Sequence, residues 1–210
     1  MLRNASSFHR GAAKYKPQPL VLVLCEDTKS SKTYFQEAAT HFRSIAKVEF
    51  AHCGRTDPLG VVQGAVHRSR NFDRVFCVID RDSHDPQNFA GAMALTAASP
   101  KLTTLTSYPC FEFWLLLHFG FSRAPFMAAG KHSAADRVIQ DLRTKDGMGA
   151  YSKGGIEGLF LQLLPKLDAA CARASRTIRD AALDNESNPS TPLHELIDEL
   201  RKLGTPASLN

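Results

Sequence analysis

A short apolar run, Val75–Ile79, constrains the fold of this chain most, because it stops at two carboxylates, Asp80 and Asp82. Five consecutive apolar residues predict a strand that is buried on both faces, as in the centre of a parallel sheet. Ligands of open parallel sheets bind beyond the carboxyl ends of the strands. The two acids therefore stand where a binding or catalytic site is expected.

Asp80 and Asp82 are two positions apart, so both side chains can point to one place while Arg81 turns away from it. Two converging carboxylates repel each other unless a cation or a proton lies between them. The spacing therefore favours a hard divalent metal such as Mg²⁺. The alternative is that one of the two acids merely caps the helix that follows.

Further strand and helix patterns surround this run. The predicted strands are Leu20–Cys25, which ends directly in Glu26, then Lys47–Cys53, Val75–Ile79 and Leu102–Thr106. The predicted helices between them are Thr33–Phe42 with Ser30 or Ser31 as cap, a segment from Pro58 to about Arg70 with Asp57 as cap, and Pro86–Ala98. This alternation predicts an α/β fold with right-handed crossovers and a parallel sheet.

Glu26, Asp80 and Asp82 are predicted to converge in one metal site. Each follows a buried strand, and parallel strands present their carboxyl ends at the same edge of a sheet. Without a cation, the cluster would raise the pKa of at least one carboxylate, and a bound metal would relieve that repulsion.

Phe111–Phe119 is the most apolar helix pattern, and it contains two polar residues, Glu112 and His118. Glu112 either stabilises the helix dipole from the first turn or, if it is buried, needs a partner such as a metal ion or an arginine. For His118, a hydrogen-bonded structural histidine is the simpler interpretation. From Ser122 onward the patterns predict helices joined by glycine-containing loops, over the segments Ser133–Leu142, Ile156–Leu163, Leu167–Leu183 and Leu193–Leu203.

The chain of 210 residues is long enough for one α/β domain with a helical addition, but short for two full domains. We expect a flexible basic leader over residues 1–19 and one domain over residues 20–204 that is helical from about residue 122. The five cysteines form no Cys-x-x-Cys pair, so neither a zinc site nor a disulfide framework is expected. No segment approaches the length of a membrane span and no secretion signal is evident, so a cytoplasmic protein is expected.

A formal net charge of +5 permits a polyanionic partner without requiring one. The leader has no acidic residue before Glu26, and a basic arm of this kind can lie along a phosphate backbone, although many chain termini are basic by chance. A later helix pattern has arginines at spacings of three, and this face either meets phosphate or stays solvated. The candidate nucleic-acid-binding residues are therefore Arg10, Lys14, Lys16, Arg173, Arg176 and Arg179.

The sequence resembles the RloB-like family, whose members are bacterial proteins encoded beside restriction systems and often beside a partner ATPase. The matching segments occur in the family order and cover about Leu20 to Leu203. They are Val23–Glu26, Tyr34–Phe35, Asp57–Pro58, Val78–His84, Pro109–Phe119, Tyr151–Gly154 and Asn188–Thr191. Three positions depart from the pattern: Asp27 and Ser31 replace a common Gly and Glu, and Tyr108 stands where Asn commonly precedes Pro-Cys.

The resemblance implies a Toprim-like fold in which Glu26 is the acid after the first strand, and Asp80 and Asp82 form the metal-binding pair. It also implies Mg²⁺-dependent or Mn²⁺-dependent cleavage or transfer at phosphodiester bonds of DNA or RNA, and a role in defence against phage. Glu26 would ligate a metal or move a proton, Lys153 would neutralise charge in the transition state, and Glu112 is a further candidate metal ligand.

Two other functions remain open from the sequence. One is a non-catalytic sensor or effector subunit that binds nucleic acid or a nucleotide–metal complex and works with a partner ATPase. The other is a phosphatase of the haloacid dehalogenase type, which also carries Asp-x-Asp after a strand. That class places the motif on its first strand, whereas here the motif follows the third predicted strand.

Overall fold

The computed structural model describes residues 19–44, 48–81, 84–154 and 156–205. Four residues with a predicted role in metal or nucleic-acid binding lie outside these ranges. They are Arg10, Lys14, Lys16 and Asp82.

The centre of the fold is a four-stranded sheet in which all strands are parallel, as predicted. The strands are β1 (Val21–Cys25), β2 (Val48–Ala51), β3 (Arg74–Asp80) and β4 (Leu102–Ser107). Their order in the sheet is β2-β1-β3-β4, so the two most apolar strands lie in the middle. Strand β1 is buried along its whole length, because helices cover both faces of the sheet.

Helices connect the strands and make up most of the described chain after the sheet. They are α1 (Ser30–His41), α2 (Pro58–Arg68), α3 (Pro86–Ala97), α4 (Phe111–Leu116), α5 (Ala134–Arg143), α6 (Leu159–Leu163), α7 (Leu167–Asp184) and α8 (His194–Gly204). After Ser107, the described residues form helices, turns and two isolated bridges, which confirms the predicted helical C-terminal part. Among the described residues, no helix is both long and apolar enough to cross a membrane.

The side chains of the central strands alternate between two apolar layers. On β1, Leu22 and Leu24 pack with helices α2 and α3, whereas Val21 and Val23 belong to the larger layer that contains α1, α4 and the C-terminal helices. Cys25 and Cys77 are fully buried free cysteines on these two layers. They behave as the small buried hydrophobes that their strand patterns suggest.

Most helix boundaries agree with those predicted from the sequence, and specific hydrogen bonds accompany the differences. Asp57 caps α2 as predicted, because its carboxylate accepts a hydrogen bond from the Gly60 amide at 2.8 Å. Helix α6 begins at Leu159 rather than at Ile156. Its start is set from outside the helix by Glu37 of α1, whose carboxylate accepts hydrogen bonds from the amides of Gly158 (2.7 Å) and Phe160 (3.0 Å).

Helix α4 also ends earlier than predicted, at Leu116 instead of Phe119. The amides of His118 and Phe119 bond to carbonyls three residues back, those of Leu115 (3.2 Å) and Leu116 (2.9 Å). The chain therefore tightens into turns after Leu116 although its side chains remain apolar.

Candidate functional site

The ends of the two central strands meet at the carboxyl edge of the sheet. Asp80 is the last residue of β3, and Glu26 directly follows β1. The Glu26 amide donates to the Val78 carbonyl at 3.0 Å, and one carboxylate oxygen of Glu26, Oε2, accepts a hydrogen bond from the Asp80 amide at 2.8 Å. The sheet therefore brings Glu26 and Asp80 together, and Asp82 of the predicted cluster lies outside the described residues.

The second oxygen of Glu26 contacts a histidine to which the sequence assigned no role. His84 Nε2 lies 2.7 Å from Glu26 Oε1. His84 belongs to the Val78–His84 segment of the motif, but a contact back to the first strand depends on the pairing of β1 with β3. Sequence spacing alone does not reveal it.

Asp80 lies in an unfavourable place for a negative charge. Its side chain is surrounded by protein on most sides and keeps part of its surface open to a cleft. Burial raises the pKa of Asp80 well above its usual value, and the nearby charges of Glu112, Glu26 and Asp27 raise it further, while Lys153 acts in the opposite direction.

The pKa of Glu26 is raised for the same main reason, which is burial. The Asp80 amide and His84 act against this shift, because both favour the charged carboxylate. The edge of the sheet therefore holds carboxylates whose ionised forms are costly.

Glu112 lies in the first turn of α4 and its side chain is buried, with 2% of the residue exposed. Its partner is a tyrosine: the Tyr151 hydroxyl donates to Glu112 Oε1 at 3.0 Å. Burial raises the pKa of Tyr151, and the charge of Glu112 adds to that shift. The sequence left open a helix-dipole role for Glu112 or, if buried, a partner such as a metal ion or an arginine. It did not reveal the contact with Tyr151, although Tyr151 opens a segment that matches the family pattern. A neutral hydroxyl satisfies one oxygen of Glu112 but does not neutralise its charge.

Lys153 reaches the cluster from a loop between α5 and α6. The loop is held against α1, because the Gly154 amide donates to the Ser30 hydroxyl at 3.1 Å. Gly154 has φ of 135°, a conformation that favours glycine. This attachment places Lys153 in the lining of two recesses, and Asp80 lines both of them as well.

The two recesses measure about 260 and 350 Å³ and adjoin each other at Asp27, Asp80 and Lys153. Glu112 lines the smaller recess, and Glu26 and His84 line the larger one. A larger groove of about 620 Å³ lies elsewhere, between the segment after Ser122 and α5. Its lining has no cluster of carboxylates, so we place the candidate site at the strand ends.

Two of the departures from the family pattern contact each other. Asp27 accepts hydrogen bonds from the Lys29 amide at 2.7 Å and from both the amide (3.1 Å) and the hydroxyl of Ser31. Asp27 thus shapes the turn before α1. The predicted cap is wrong here, because Ser30 and Ser31 are the first two residues of the helix and the cap position is Lys29.

The three candidate arginines of α7 make contacts within the protein or face solvent. Arg173 donates to the Leu117 carbonyl at 2.7 Å, and Arg176 lies 4.0 Å over the Phe121 ring. Arg179 is exposed. These three side chains are not among the residues that line the two recesses, so the structure does not bring them to the strand ends.

His118 has the structural role that the simpler interpretation predicted. It is buried, its Nδ1 lies 3.1 Å from the Trp114 carbonyl, and its Nε2 lies 3.2 Å from the Tyr34 hydroxyl. Burial is the main cause that lowers the pKa of His118 to about 4. The ring is therefore neutral near pH 7.

The described residues contain no group of three histidine, cysteine, aspartate or glutamate side chains already arranged to hold a metal ion. A family model described as RloB-like protein matches residues 21–200. No curated protein and no solved structure gave a significant match.

Proposed function

The chain belongs to the RloB-like family, and on that premise we propose that it is a metal-dependent nuclease that cleaves phosphodiester bonds of nucleic acid in bacterial anti-phage defence. The observation that supports this proposal best is the environment of Asp80. Its carboxylate lies at the end of a central strand among other carboxylates, and its pKa is raised well above the usual value by burial and by their charges. Such an arrangement costs stability unless a cation binds there.

The donor atoms of the site fit Mg²⁺ or Mn²⁺. Glu26, Asp80 and Glu112 present carboxylate oxygens, which are the ligands that these hard cations prefer. We propose that these three residues hold the metal together with Asp82. A bound divalent ion would polarise the phosphate and stabilise the leaving oxygen.

The remaining roles fall to side chains of the chain itself. Lys153 lines the cleft beside Asp80 and lowers the pKa of the Asp80 carboxyl, so we assign its ammonium group the role of neutralising charge on a phosphorane-like transition state. Glu26 is held beside Asp80 by the backbone, which suits either a metal ligand or a group that transfers a proton.

Contacts with the rest of the nucleic acid are proposed to come from basic side chains near the start of the chain and on α7. Each lysine or arginine that neutralises a phosphate adds affinity that falls as the salt concentration rises. The proposed residues are Arg10, Lys14, Lys16, Arg173, Arg176 and Arg179.

The test is a cleavage screen with Mg²⁺ and Mn²⁺ on plasmid DNA, single-stranded DNA and total RNA, repeated with a neighbouring ATPase if one is encoded. We expect cleavage by the natural protein and a loss of at least about a thousandfold in Asp80→Asn, because charge stabilisation at the phosphate is lost. Asp85→Asn is the matched control. Asp85 caps α3 through the Asn88 amide at 2.9 Å, and asparagine caps helices equally well.

The outcomes separate the candidate functions. Cleavage that persists in Asp80→Asn contradicts the proposed site. Tight binding of nucleic acid or nucleotide without turnover in either metal contradicts the nuclease and favours a sensor or effector subunit that works with a partner ATPase.

A further inference from the structure

Asp80 and His84 together hold Glu26, the residue after strand β1, at both of its carboxylate oxygens. The Asp80 amide donates to Oε2 at 2.8 Å, and His84 Nε2 lies 2.7 Å from Oε1. Side-chain exposure is 15% for Glu26 and 25% for His84, so water competes little for this hydrogen bond. The Asp80 amide and the His84 ring therefore fix a carboxylate that follows a different strand, β1.

His84 is itself fixed by contacts that do not involve Glu26. The Arg81 side chain donates from Nη1 to the His84 carbonyl at 2.8 Å, and its guanidinium lies 4.8 Å over the Phe89 ring. The Arg81 amide donates to the Ser107 carbonyl of β4 at 2.8 Å. The position of the His84 backbone thus depends on β4 and α3, and its ring can serve as an anchor.

An anchor is needed because Glu26 has negative neighbours. Asp27 acts on Glu26 as a like charge, and Glu26 acts in the same way on Asp80. A glutamate with three rotatable bonds lowers this repulsion by turning away from the cleft, unless a donor holds it in place.

We propose that His84 is a positioning residue: its Nε2–H holds the Glu26 carboxylate beside Asp80, and a neutral donor at that point is sufficient. The inference deepens the proposed function, on which its consequence for metal binding rests. It predicts that glutamine, whose amide nitrogen can occupy nearly the same place as His Nε2, replaces His84, whereas alanine does not.

The first test needs no metal and no substrate. The Asp80 amide donates to Glu26, so its hydrogen exchange, followed by NMR, reports whether the Glu26 carboxylate stays in place. We expect exchange at Asp80 to be faster by about tenfold in His84→Ala and within about twofold of the natural protein in His84→Gln. The Arg81 amide, which donates to β4 instead, is the internal reference and should be unchanged in both variants.

The second test measures Mn²⁺ affinity of the full chain by titration calorimetry. Groups that orient a metal ligand typically contribute 10-fold to 100-fold in affinity, so His84→Ala should weaken Mn²⁺ binding by about that factor and His84→Gln by only a few fold. Unchanged Asp80 exchange in His84→Ala, unchanged Mn²⁺ affinity in that variant, or a glutamine variant as impaired as alanine in either measurement overturns the positioning role.

Failure of the proposed nuclease gives a different result. If the natural protein binds Mn²⁺ but cleaves no nucleic acid, the nuclease is contradicted while the comparison of the His84 variants still decides the positioning role. If the natural protein binds no Mn²⁺, the metal site is contradicted and the exchange at Asp80 alone decides it.

Discussion

Strand β3 carries a charged residue at each end, and the two ends have opposite environments. At the first residue, the Arg74 guanidinium donates to both carboxylate oxygens of Glu199 from α8, with Nη1 2.8 Å from Oε2. At the last residue, Asp80 lies near Glu26 and Glu112, which carry the same sign of charge. The amino end is an ion pair, and the carboxyl end is a cluster of like charges.

The difference separates a buried charge that has an oppositely charged partner from a carboxylate whose neighbours carry the same sign of charge. Glu199 is 5% exposed, and its charge is balanced by an arginine that joins the last helix to the sheet. Asp80 has acquired neighbours that raise its pKa, which lowers the stability of the folded protein in the absence of a cation. Such a cost agrees with the metal site that we propose at the strand ends.

The largest expected effect of a single substitution on stability is at the amino end. Arg74→Gln leaves the buried Glu199 carboxylate without its partner and should lower the free energy of unfolding by about 2 kcal/mol. This is less than for a fully buried ion pair, because the Arg74 side chain is 44% exposed and its charge is partly screened by water. Urea denaturation measures this, with the exposed Arg70→Gln as control. A loss below about 1 kcal/mol would mean that the two ends do not differ as described.

A buried group that is neutral and hydrogen-bonded tests whether poorly matched partners, rather than burial itself, distinguish the two ends of β3. His118 is buried and bonded in its neutral form, and its folded pKa of about 4 lies below the unfolded value of about 6.5. The unfolded state therefore binds more protons between these values, so stability is full above pH 6.5 and falls as the pH drops toward 4.

The expected loss from His118 is at most roughly 3 kcal/mol, measured by urea denaturation from pH 7 to pH 4. Asp80 acts in the opposite direction, because a raised carboxyl pKa makes stability fall as the pH rises through it. His118→Gln should remove the decline between pH 6.5 and 4. If stability declines as much in the His118→Gln variant, groups other than His118 cause the decline.

A smaller effect is expected from Tyr151→Phe. The change removes the hydroxyl that donates to Glu112 Oε1 and should lower the free energy of unfolding by about 1–2 kcal/mol, because a buried carboxylate oxygen loses its donor. Tyr108→Phe, at a half-buried tyrosine outside the acidic cluster, is the control for thermal denaturation. Equal effects of both changes would argue against a special role of Tyr151 at Glu112.

The sequence predicted the strands at whose ends Glu26 and Asp80 lie, but not the contacts between distant segments around them. The apolar runs of β1 and β3 predict the central strands, and the rule for parallel strands then places Glu26 beside Asp80. The Tyr151 contact with Glu112 and the Glu37 contact with α6 join distant segments, and they depend on how helices pack after the sheet has formed. Local periodicity has no information on such pairs.

The end of α4 shows a second limit. Its apolar residues continue past Leu116, so hydrophobic pattern alone extends the helix to Phe119. The backbone instead makes turns, and the Arg173 side chain donates to the Leu117 carbonyl, one of the acceptors left without a helical partner at the end of α4. This contact comes from α7, so the hydrophobic pattern of α4 alone does not reveal it.

The most direct test of the charge mismatch at the carboxyl end is the melting temperature of Asp80→Asn and of the natural protein, each in EDTA and in Mg²⁺. The variant removes a like charge, so in EDTA at pH 7–8 it should be more stable by about 1 kcal/mol, or about 2–4 °C for a chain of this length. Mg²⁺ should raise the melting temperature of the natural protein and leave that of the variant unchanged. A variant that is less stable in EDTA, or that keeps the full Mg²⁺ response, would contradict a metal site at Asp80.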